Sequence, residues 1–206
     1  MLKVWGRTNS VNVQKVLWTL DELSLPFERI DAGLQFGKNR ESWFLAMNPN
    51  GLIPTLDDDG FILWESNSIV RYLAAKHDLG GLWPSDPRAR ATAEMWMDWQ
   101  LSKLAGALGP MFTELIRTPQ ERRNASVVER GVNDCLGVFG VLDQALAGRA
   151  FLVGERLTMA EIAVGALTHR WYALDVDHGD YPELRRWYEA LSERPAFQRQ
   201  VMSPLS

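Results

Sequence analysis

The sequence is poor in cysteine, in net positive charge and in long apolar runs. Cys135 is the single cysteine among 206 residues, so no internal disulfide can form and a reducing compartment is expected. The net charge of −4 offers no basic surface for nucleic acid or for an anionic membrane. No apolar run is long enough to span a bilayer, and Gly6-Arg7 ends the short apolar start, so no signal peptide is expected. These absences predict a cytoplasmic protein that binds neither nucleic acid nor membrane.

Other absences narrow the chemistry. The chain has no Gly-rich phosphate loop and no Cys-x-x-Cys pair, so any thiol chemistry depends on a thiol brought by a ligand. His77 and His169 have no partners at metal-ligand spacing, and the acidic run from Asp175 to Asp180 is more typical of a solvated loop. We therefore expect no metal site and no bound cofactor.

The first eighty residues alternate between strand and helix patterns. Asn12 precedes apolar residues that recur at helical spacing, and it is the expected N-cap of the first helix. An acidic turn, Asp57 to Gly60, separates two short strand patterns. The order predicts a small sheet with helices packed on it. Predicted strands cover residues 3–5, 27–30, 55–56 and 61–63, and predicted helices cover residues 13–23, 42–46 and 66–77.

The rest of the chain shows helical periodicity only. Glycines and prolines between Leu79 and Pro87 predict a linker. A long helix is expected over residues 88–116, with kinks near Gly106, Gly109 and Pro110. Three more helices are expected: one over residues 128–146, one after a Thr158 to Glu161 capping box, and one from Pro182. The sequence thus predicts an α/β domain at residues 1–80 and an all-helical domain at residues 88–206.

The most informative motif is the segment from Asn48 to Leu56 together with the Glu65-Ser66 pair. Proline at the start of a strand indicates an edge, a bulge or a cis bond, and a cis bond at Pro54 leaves the backbone of Ile53 free for a peptide-like ligand. Glu65 and Ser66 begin a predicted helix, where backbone N–H groups and a hydroxyl bind a carboxylate and the acidic side chain binds an amine. These features predict a site for a small zwitterionic peptide.

Several motifs in order and register resemble those of the cytosolic glutathione transferases. They are Ser10 to Val16, Phe44 to Pro54, Trp64 to Leu73, Thr158 to Glu161, Pro182 to Trp187, and Arg194-Pro195. The chain is most similar to bacterial theta- or beta-like members, which use a hydroxyl near the first strand. The resemblance covers nearly the whole chain. It implies a thioredoxin-like N-terminal domain, an all-helical C-terminal domain, and a homodimer that pairs the first domain of one subunit with the second domain of the other.

The resemblance also implies roles for particular residues. Ser10 is the first candidate for the group that stabilises the glutathione thiolate, and Asn12 is the second. Arg7, Thr8 and Asn9 are weaker alternatives. A turn serine and a plain N-cap remain the simpler interpretations of Ser10 and Asn12.

The glutathione subsites follow from the same register. Ile53, before Pro54, is expected to present its backbone to the cysteinyl part, while Glu65 and Ser66 hold the γ-glutamyl amine and carboxylate. Asn39 is expected near the glycyl end, with Lys38 beside it as a possible ion-pair partner. The electrophile is expected between the domains, and its candidate wall residues, for which core packing is the alternative, are Leu104, Leu108, Met111 and Phe112.

The expected function is conjugation of glutathione to a small electrophile, with glutathione as co-substrate and no other cofactor. Glutathione-dependent disulfide reduction and dehalogenation remain open as alternatives on the same scaffold. A non-catalytic interaction module is a further alternative, because fold alone does not determine function.

Overall fold

A four-stranded mixed sheet forms the centre of the N-terminal domain in the computed structural model, which describes residues 1–206. The strand order is β2-β1-β3-β4, with β1 parallel to β2 and the other pairs antiparallel. The four strands and the three helices between and after them match the predicted order. Their bounds are β1 Leu2–Trp5, α1 Val11–Glu22, β2 Phe27–Ile30, α2 Ser42–Met47, β3 Thr55–Asp58, β4 Phe61–Trp64 and α3 Ser66–His77.

The two faces of the sheet carry different helices. Val4 of β1 and Leu56 of β3 are buried with Val16 of α1 and Ile69 of α3, so α1 and α3 share one face. Trp5 points to the opposite face because strand side chains alternate, and it packs with Phe44 of α2. The N-terminal domain is therefore a thioredoxin-like layer of helices on both faces of a small sheet.

The C-terminal domain contains only helices. Two π-helical segments, Gln100–Leu104 and Thr113–Arg117, connect with α4 and α5 into one continuous helical run. Pro110 lies inside this run, within α5. The remaining helices build the bundle behind it. The helices are α4 Pro87–Trp99, α5 Ala105–Phe112, α6 Ala125–Leu146, α7 Met159–Tyr172, α8 Pro182–Ser192 and α9 Pro195–Gln200.

Helix α7 occupies the centre of the molecule. Nearly all its residues are buried, including small ones such as Gly165 and charged ones such as Glu161 and Arg170. A Cβ at Gly165 would lie 2.7 Å from Leu191 Cδ1 and 3.3 Å from the Trp18 ring, so glycine permits this close approach to α1 and α8. Trp18 belongs to a core of 33 buried residues that extends across both domains. Trp187, expected in the core, is fully buried there.

The predicted capping box begins α7. Thr158 Oγ1 accepts a hydrogen bond from the Ala160 N–H at 3.2 Å, and Glu161 Oε2 accepts one from the Thr158 N–H at 2.8 Å. Glu161 Oε1 also accepts the Leu152 N–H at 2.6 Å. The buried carboxylate therefore fixes the loop before α7 as well as the helix start.

Two local predictions need correction. Helix α1 begins at Val11 with Ser10, in extended conformation, as its N-cap, so the prediction that Asn12 caps the helix is wrong. Asn12 lies in the first turn because the extended backbone ends two residues earlier. The helix predicted over residues 88–116 includes two π-helical segments that were not predicted, and α9 was not predicted either. No helix of the chain combines the length and the apolar character that crossing a membrane requires.

Candidate functional site

A small cavity lies where the loop before β3 meets the beginnings of α1 and α3. Its volume is about 60 Å³. Five of the predicted site residues line it together with Asn48 and Leu52: Asn12, Ile53, Pro54, Glu65 and Ser66. Residues far apart in the sequence, from three different segments, are thus brought to one place by the fold.

The loop before β3 exposes one backbone segment to this cavity. The Ile53-Pro54 peptide bond is cis, one of the alternatives considered for this proline. Ile53 lies outside the strands, and its backbone N–H and C=O take part in no hydrogen bond within the chain. The amide of Asn48 holds the loop by donating to the Leu52 carbonyl at 2.9 Å and to Thr55 Oγ1 at 3.1 Å. A free, anchored donor and acceptor pair suits a peptide-like ligand.

The start of α3 forms the opposite wall. Glu65 has φ 70°, a left-handed conformation that is unusual for a side chain larger than glycine, and its carboxylate does not cap the helix. Such backbone conformations concentrate at functional sites. Ser66 is the first residue of α3, so its N–H is among the helix-terminal donors that have no partner within the helix. This wall combines an acidic side chain with a helix N-terminus that favours anions.

Asn12 connects the two helix N-termini. Ser66 Oγ donates a hydrogen bond to Asn12 Oδ1 at 3.2 Å, which orients the Asn12 amide group. Because α1 and α3 both begin at this cavity, both helix dipoles contribute partial positive charge to it. A bound anion, whether carboxylate or thiolate, is stabilised by this arrangement.

Ser10 lies at the same helix start but outside the lining of the small cavity. Its side chain is buried, with 8% of its surface exposed, and its hydroxyl makes no capping hydrogen bond and has no other partner in the chain. A hydroxyl that is free of the capping role is available to donate to a ligand. The structure thus leaves both predicted thiolate donors, Ser10 and Asn12, beside the start of α1.

Asn39 does not line this cavity. Its amide donates to the Gly51 carbonyl at 2.7 Å. This hydrogen bond joins the segment before α2, which contains Asn39, to the loop after α2, which contains Gly51. Gly51 itself has φ 60°, and a Cβ there would lie 2.8 Å from the Asn39 carbonyl oxygen. The observed contact is a loop-stabilising one, and the proposed contact of Asn39 with glutathione stays a prediction.

A larger cavity lies between the domains, next to the small one. Its volume is about 220 Å³. Of the four expected wall residues, Leu108 and Phe112 line it, whereas Leu104 and Met111 are fully buried in the core. Asn12 lines both cavities, so they meet at the start of α1.

The two π-helical segments supply further wall residues. Gln100 and Leu101 come from the first segment, and Thr113 and Arg117 come from the second. A π turn inserts an extra residue and shifts the side chains that follow it, and such turns are frequent at functional sites. The sequence pattern did not predict these segments.

A fully buried lysine lies behind the small cavity. Lys15 Nζ donates to Asn67 Oδ1 at 2.9 Å and to Gln100 Oε1 at 3.2 Å. Asn67 in turn donates to the Met97 carbonyl at 3.0 Å, so the network joins α1, α3 and α4. Burial, against the opposing effect of Glu65, lowers the pKa of Lys15 to about 7. Through Gln100 the network reaches the wall of the larger cavity.

Comparison with known proteins agrees with this architecture. Residues 9–76 match a family model described as the glutathione S-transferase N-terminal domain, and residues 107–195 match the C-terminal domain. The chain is 44% identical over 208 residues, with 100% of both chains covered, to glutathione S-transferase GstB of Escherichia coli strain K12.

The chain belongs to the glutathione S-transferase family. It is also 32% identical to glutathione S-transferase 3 of Zea mays, covering 97% of this chain and 93% of the relative. A crystal structure of the theta class glutathione S-transferase from Xanthomonas axonopodis pv. citri with glutathione bound superimposes with a TM-score of 0.96. That protein is 38% identical, and the match covers 100% of this chain and 99% of the other. The predicted family and fold are therefore confirmed for this transferase.

Three charged residues at the site of this transferase escaped sequence reasoning. Lys15 lies in a helix whose apolar face is obvious, but a lysine among such residues normally extends to solvent. Arg117 and Arg170 line the larger cavity from two different helical segments. The two residues are 53 positions apart in the sequence, so no motif contains both. A signal for Arg170 was its position in the mostly apolar helix α7, because charged side chains are rarely buried unless they are paired.

Proposed function

We propose that this glutathione transferase binds glutathione in the small cavity, with the γ-glutamyl end at the start of α3. The Glu65 carboxylate holds the amine, while Ser66 and the helix N-terminus hold the carboxylate. The backbone of Ile53, before Pro54, pairs with the cysteinyl part. The free backbone groups of Ile53 support this placement because they are otherwise unpaired. We retain Asn39 as a proposed contact of the glycyl end.

We propose that hydrogen bonds activate glutathione by lowering the pKa of its thiol. A thiol of pKa about 8.5 is only a few per cent ionised at pH 7. Lowering that pKa by two units needs about 2.7 kcal/mol of preferential stabilisation of the thiolate. We assign this stabilisation to the Ser10 hydroxyl, helped by Asn12 and the N-terminus of α1, because charge-assisted hydrogen bonds and helix ends each favour the anion.

The observation that carries the proposal is the position of Asn12 on both cavities. A thiolate held beside Asn12 faces the larger cavity, where an electrophile has apolar walls from Leu108 and Phe112. The sulfur forms a bond to the electrophilic carbon, the leaving group departs with its electron pair, and the conjugate is released. Apart from glutathione as co-substrate, we propose no cofactor.

The same thiolate serves two alternative reactions. Glutathione-dependent disulfide reduction and dehalogenation also begin with thiolate attack, so substrate profiling distinguishes them from conjugation. We further propose that the chain divides into domains at residues 1–80 and 88–206 and that it works in the cytoplasm. A single cysteine, Cys135, whose pKa burial raises to about 12, is in keeping with a reducing compartment.

The thiolate test is an ultraviolet titration of bound glutathione. We expect a bound thiol pKa well below that of free glutathione in the wild type and a value about one to two units higher in Ser10→Ala. Ser126→Ala, on an exposed face of α6, is the matched control and leaves the value unchanged.

Each other outcome of this titration has a distinct meaning. An unchanged pKa in Ser10→Ala with a raised value in Asn12→Ala assigns the main role to Asn12. A wild type that does not bind glutathione contradicts the enzyme assignment and favours an interaction module.

A homodimer is the proposed assembly. Strand β4 is an edge of the sheet, and Phe61 and Trp64 are exposed on it, which is an unusual apolar surface for an edge strand to leave uncovered. We expect twice the chain mass by size exclusion with light scattering. Phe61→Glu is expected to weaken the dimer at least tenfold. The control Leu79→Glu, at a residue that is more exposed than Phe61 but lies outside the sheet, is expected to leave it intact. A wild-type monomer at micromolar concentration contradicts the assembly.

A further inference from the structure

Three arginines converge at one end of the larger cavity. Arg117 and Arg170 line it, and Arg7, two residues after β1, donates to the same Asn9 as Arg170 does. Burial and then the neighbouring Arg117 and Arg7 lower the pKa of Arg170 to about 9. Burial and Arg117 likewise lower the pKa of Arg7. Arg117 is therefore close enough to both Arg7 and Arg170 to disfavour their charged forms.

No side-chain carboxylate neutralises this arginine cluster. None of the seven ion pairs of the chain includes Arg7, Arg117 or Arg170. Arg7 and Arg170 are each only 8% exposed, and the Nε–H of each has no hydrogen-bond partner. Buried charges in proteins are normally paired, so unpaired cations beside a cavity indicate that the partner comes from outside the chain.

Neutral groups hold the arginine cluster in place. Arg170 Nη2 donates to the Asn9 carbonyl at 2.9 Å, and Arg7 Nη1 donates to Asn9 Oδ1 at 3.0 Å. The guanidinium carbons of Arg170 and Arg117 lie 4.2 Å and 5.3 Å from the centroid of the Phe112 ring. Asn9 also donates to the hydroxyl of Ser206, so the end of the chain lies next to this group. The cluster is thus oriented before any ligand arrives.

We propose that the arginine cluster binds the carboxylate of an electrophilic substrate whose apolar body lies against Leu108 and Phe112. The planar guanidinium groups match a carboxylate in geometry and charge, and the rest of the cavity wall is largely apolar. This inference rests on the proposed function, because it takes the larger cavity as the electrophile site. It narrows the substrate class to small carboxylic acids with an electrophilic carbon.

The reaction on such a substrate is a simple displacement. With 4-(chloromethyl)benzoate, the glutathione sulfur forms a bond to the benzylic carbon, the carbon–chlorine bond breaks, and chloride leaves with the electron pair. The thiol proton has already passed to solvent when the thiolate forms. The carboxylate takes no part in the bond changes, so its contribution is one of binding and orientation.

The kinetic test compares this acid with its neutral isostere, 4-(chloromethyl)benzamide. We expect wild-type kcat/KM to favour the carboxylate about tenfold or more, because charged hydrogen bonds to a partly buried ion are strong. Arg117→Gln and Arg170→Gln are expected to lose that preference, because each raises the KM for the acid by a larger factor than the KM for the amide. Arg130→Gln, an exposed arginine of α6, is the matched control. Arg117 is exposed, so its variant folds even where Arg170→Gln does not.

Several outcomes overturn the inference. One is an equal loss of kcat/KM for the acid and the amide in the arginine variants, and another is a wild type that does not prefer the acid. A third is a rise only in the KM for glutathione in the variants, which assigns the arginine cluster to a carboxylate of glutathione. Equilibrium binding of 4-methylbenzoate and 4-methylbenzamide, followed by tryptophan fluorescence, tests the same preference without turnover. Lack of turnover of both electrophiles in the wild type, together with selective carboxylate binding, contradicts the proposed reaction but supports the anion site.

Discussion

Glu161→Ala is expected to lower the free energy of unfolding by about 4 kcal/mol. The side chain is fully buried and accepts the backbone N–H of Leu152 at 2.6 Å and that of Thr158 at 2.8 Å. Its removal leaves both donors buried without an acceptor, at about 1–3 kcal/mol each, and also opens a cavity. The lost hydrogen bonds are those at the start of α7, the buried helix at the centre of the molecule.

Urea unfolding followed by tryptophan fluorescence measures this loss. Glu155→Ala is the matched control, because Glu155 is exposed in the neighbouring loop and makes no hydrogen bond, and we expect a change within about 0.5 kcal/mol. A loss below about 1 kcal/mol in Glu161→Ala would show that water replaces the carboxylate and that the capping box contributes little.

Lys15→Met is expected to gain stability relative to the wild type as the pH falls. Burial lowers the pKa of Lys15 to about 7 from an ordinary value of 10.5. Between those values the unfolded chain binds more protons at this residue than the folded chain does, so the stability of the wild type rises with pH. The contribution amounts to about 2 kcal/mol between pH 7 and pH 9. Methionine does not titrate, so the variant lacks this rise.

Urea midpoints of both proteins at pH 7 and pH 9 provide the measurement. The methionine also leaves Asn67 Oδ1 without its donor, whereas Gln100 Oε1 keeps the Asn67 amide at 3.3 Å. This loss lowers the stability of the variant by a similar amount at both pH values. Lys103→Met, an exposed lysine of the first π-helical segment, is the control and should follow the wild type at both values. Parallel pH profiles for wild type and Lys15→Met would mean that Lys15 stays charged up to pH 9.

Much of the fold was predictable because local patterns agree with tertiary packing. Apolar spacing from Val13 to Leu20 predicted α1, and these residues pack on the sheet. The Thr158 and Glu161 pair predicted the start of α7. The exact first turn of α1 and the two π-helical segments were not predictable, because hydrogen-bond shifts of one residue leave no clear trace in apolar periodicity.

Part of the candidate site was likewise predictable from the sequence, and part was not. Ile53, Pro54, Glu65 and Ser66 belong to short motifs whose backbone conformation is encoded locally, and the structure brings them together with Asn12. The contact between Ser66 and Asn12 joins residues 54 positions apart, so no motif reveals it. The sequence also leaves open whether Ser10 or Asn12 is the proposed thiolate donor, and the titration of the two variants distinguishes them.

The sequence by itself determined the family and the order of strands and helices. It also identified Pro54, for which a cis bond was one alternative, and the Glu65-Ser66 pair. These properties depend on neighbours along the chain. Tertiary structure alone decided that Lys15 is buried between α1, α3 and α4, and that Arg7, Arg117 and Arg170 gather at one cavity without a carboxylate. Burial and charge proximity depend on segments that are distant in sequence, and no local pattern records them.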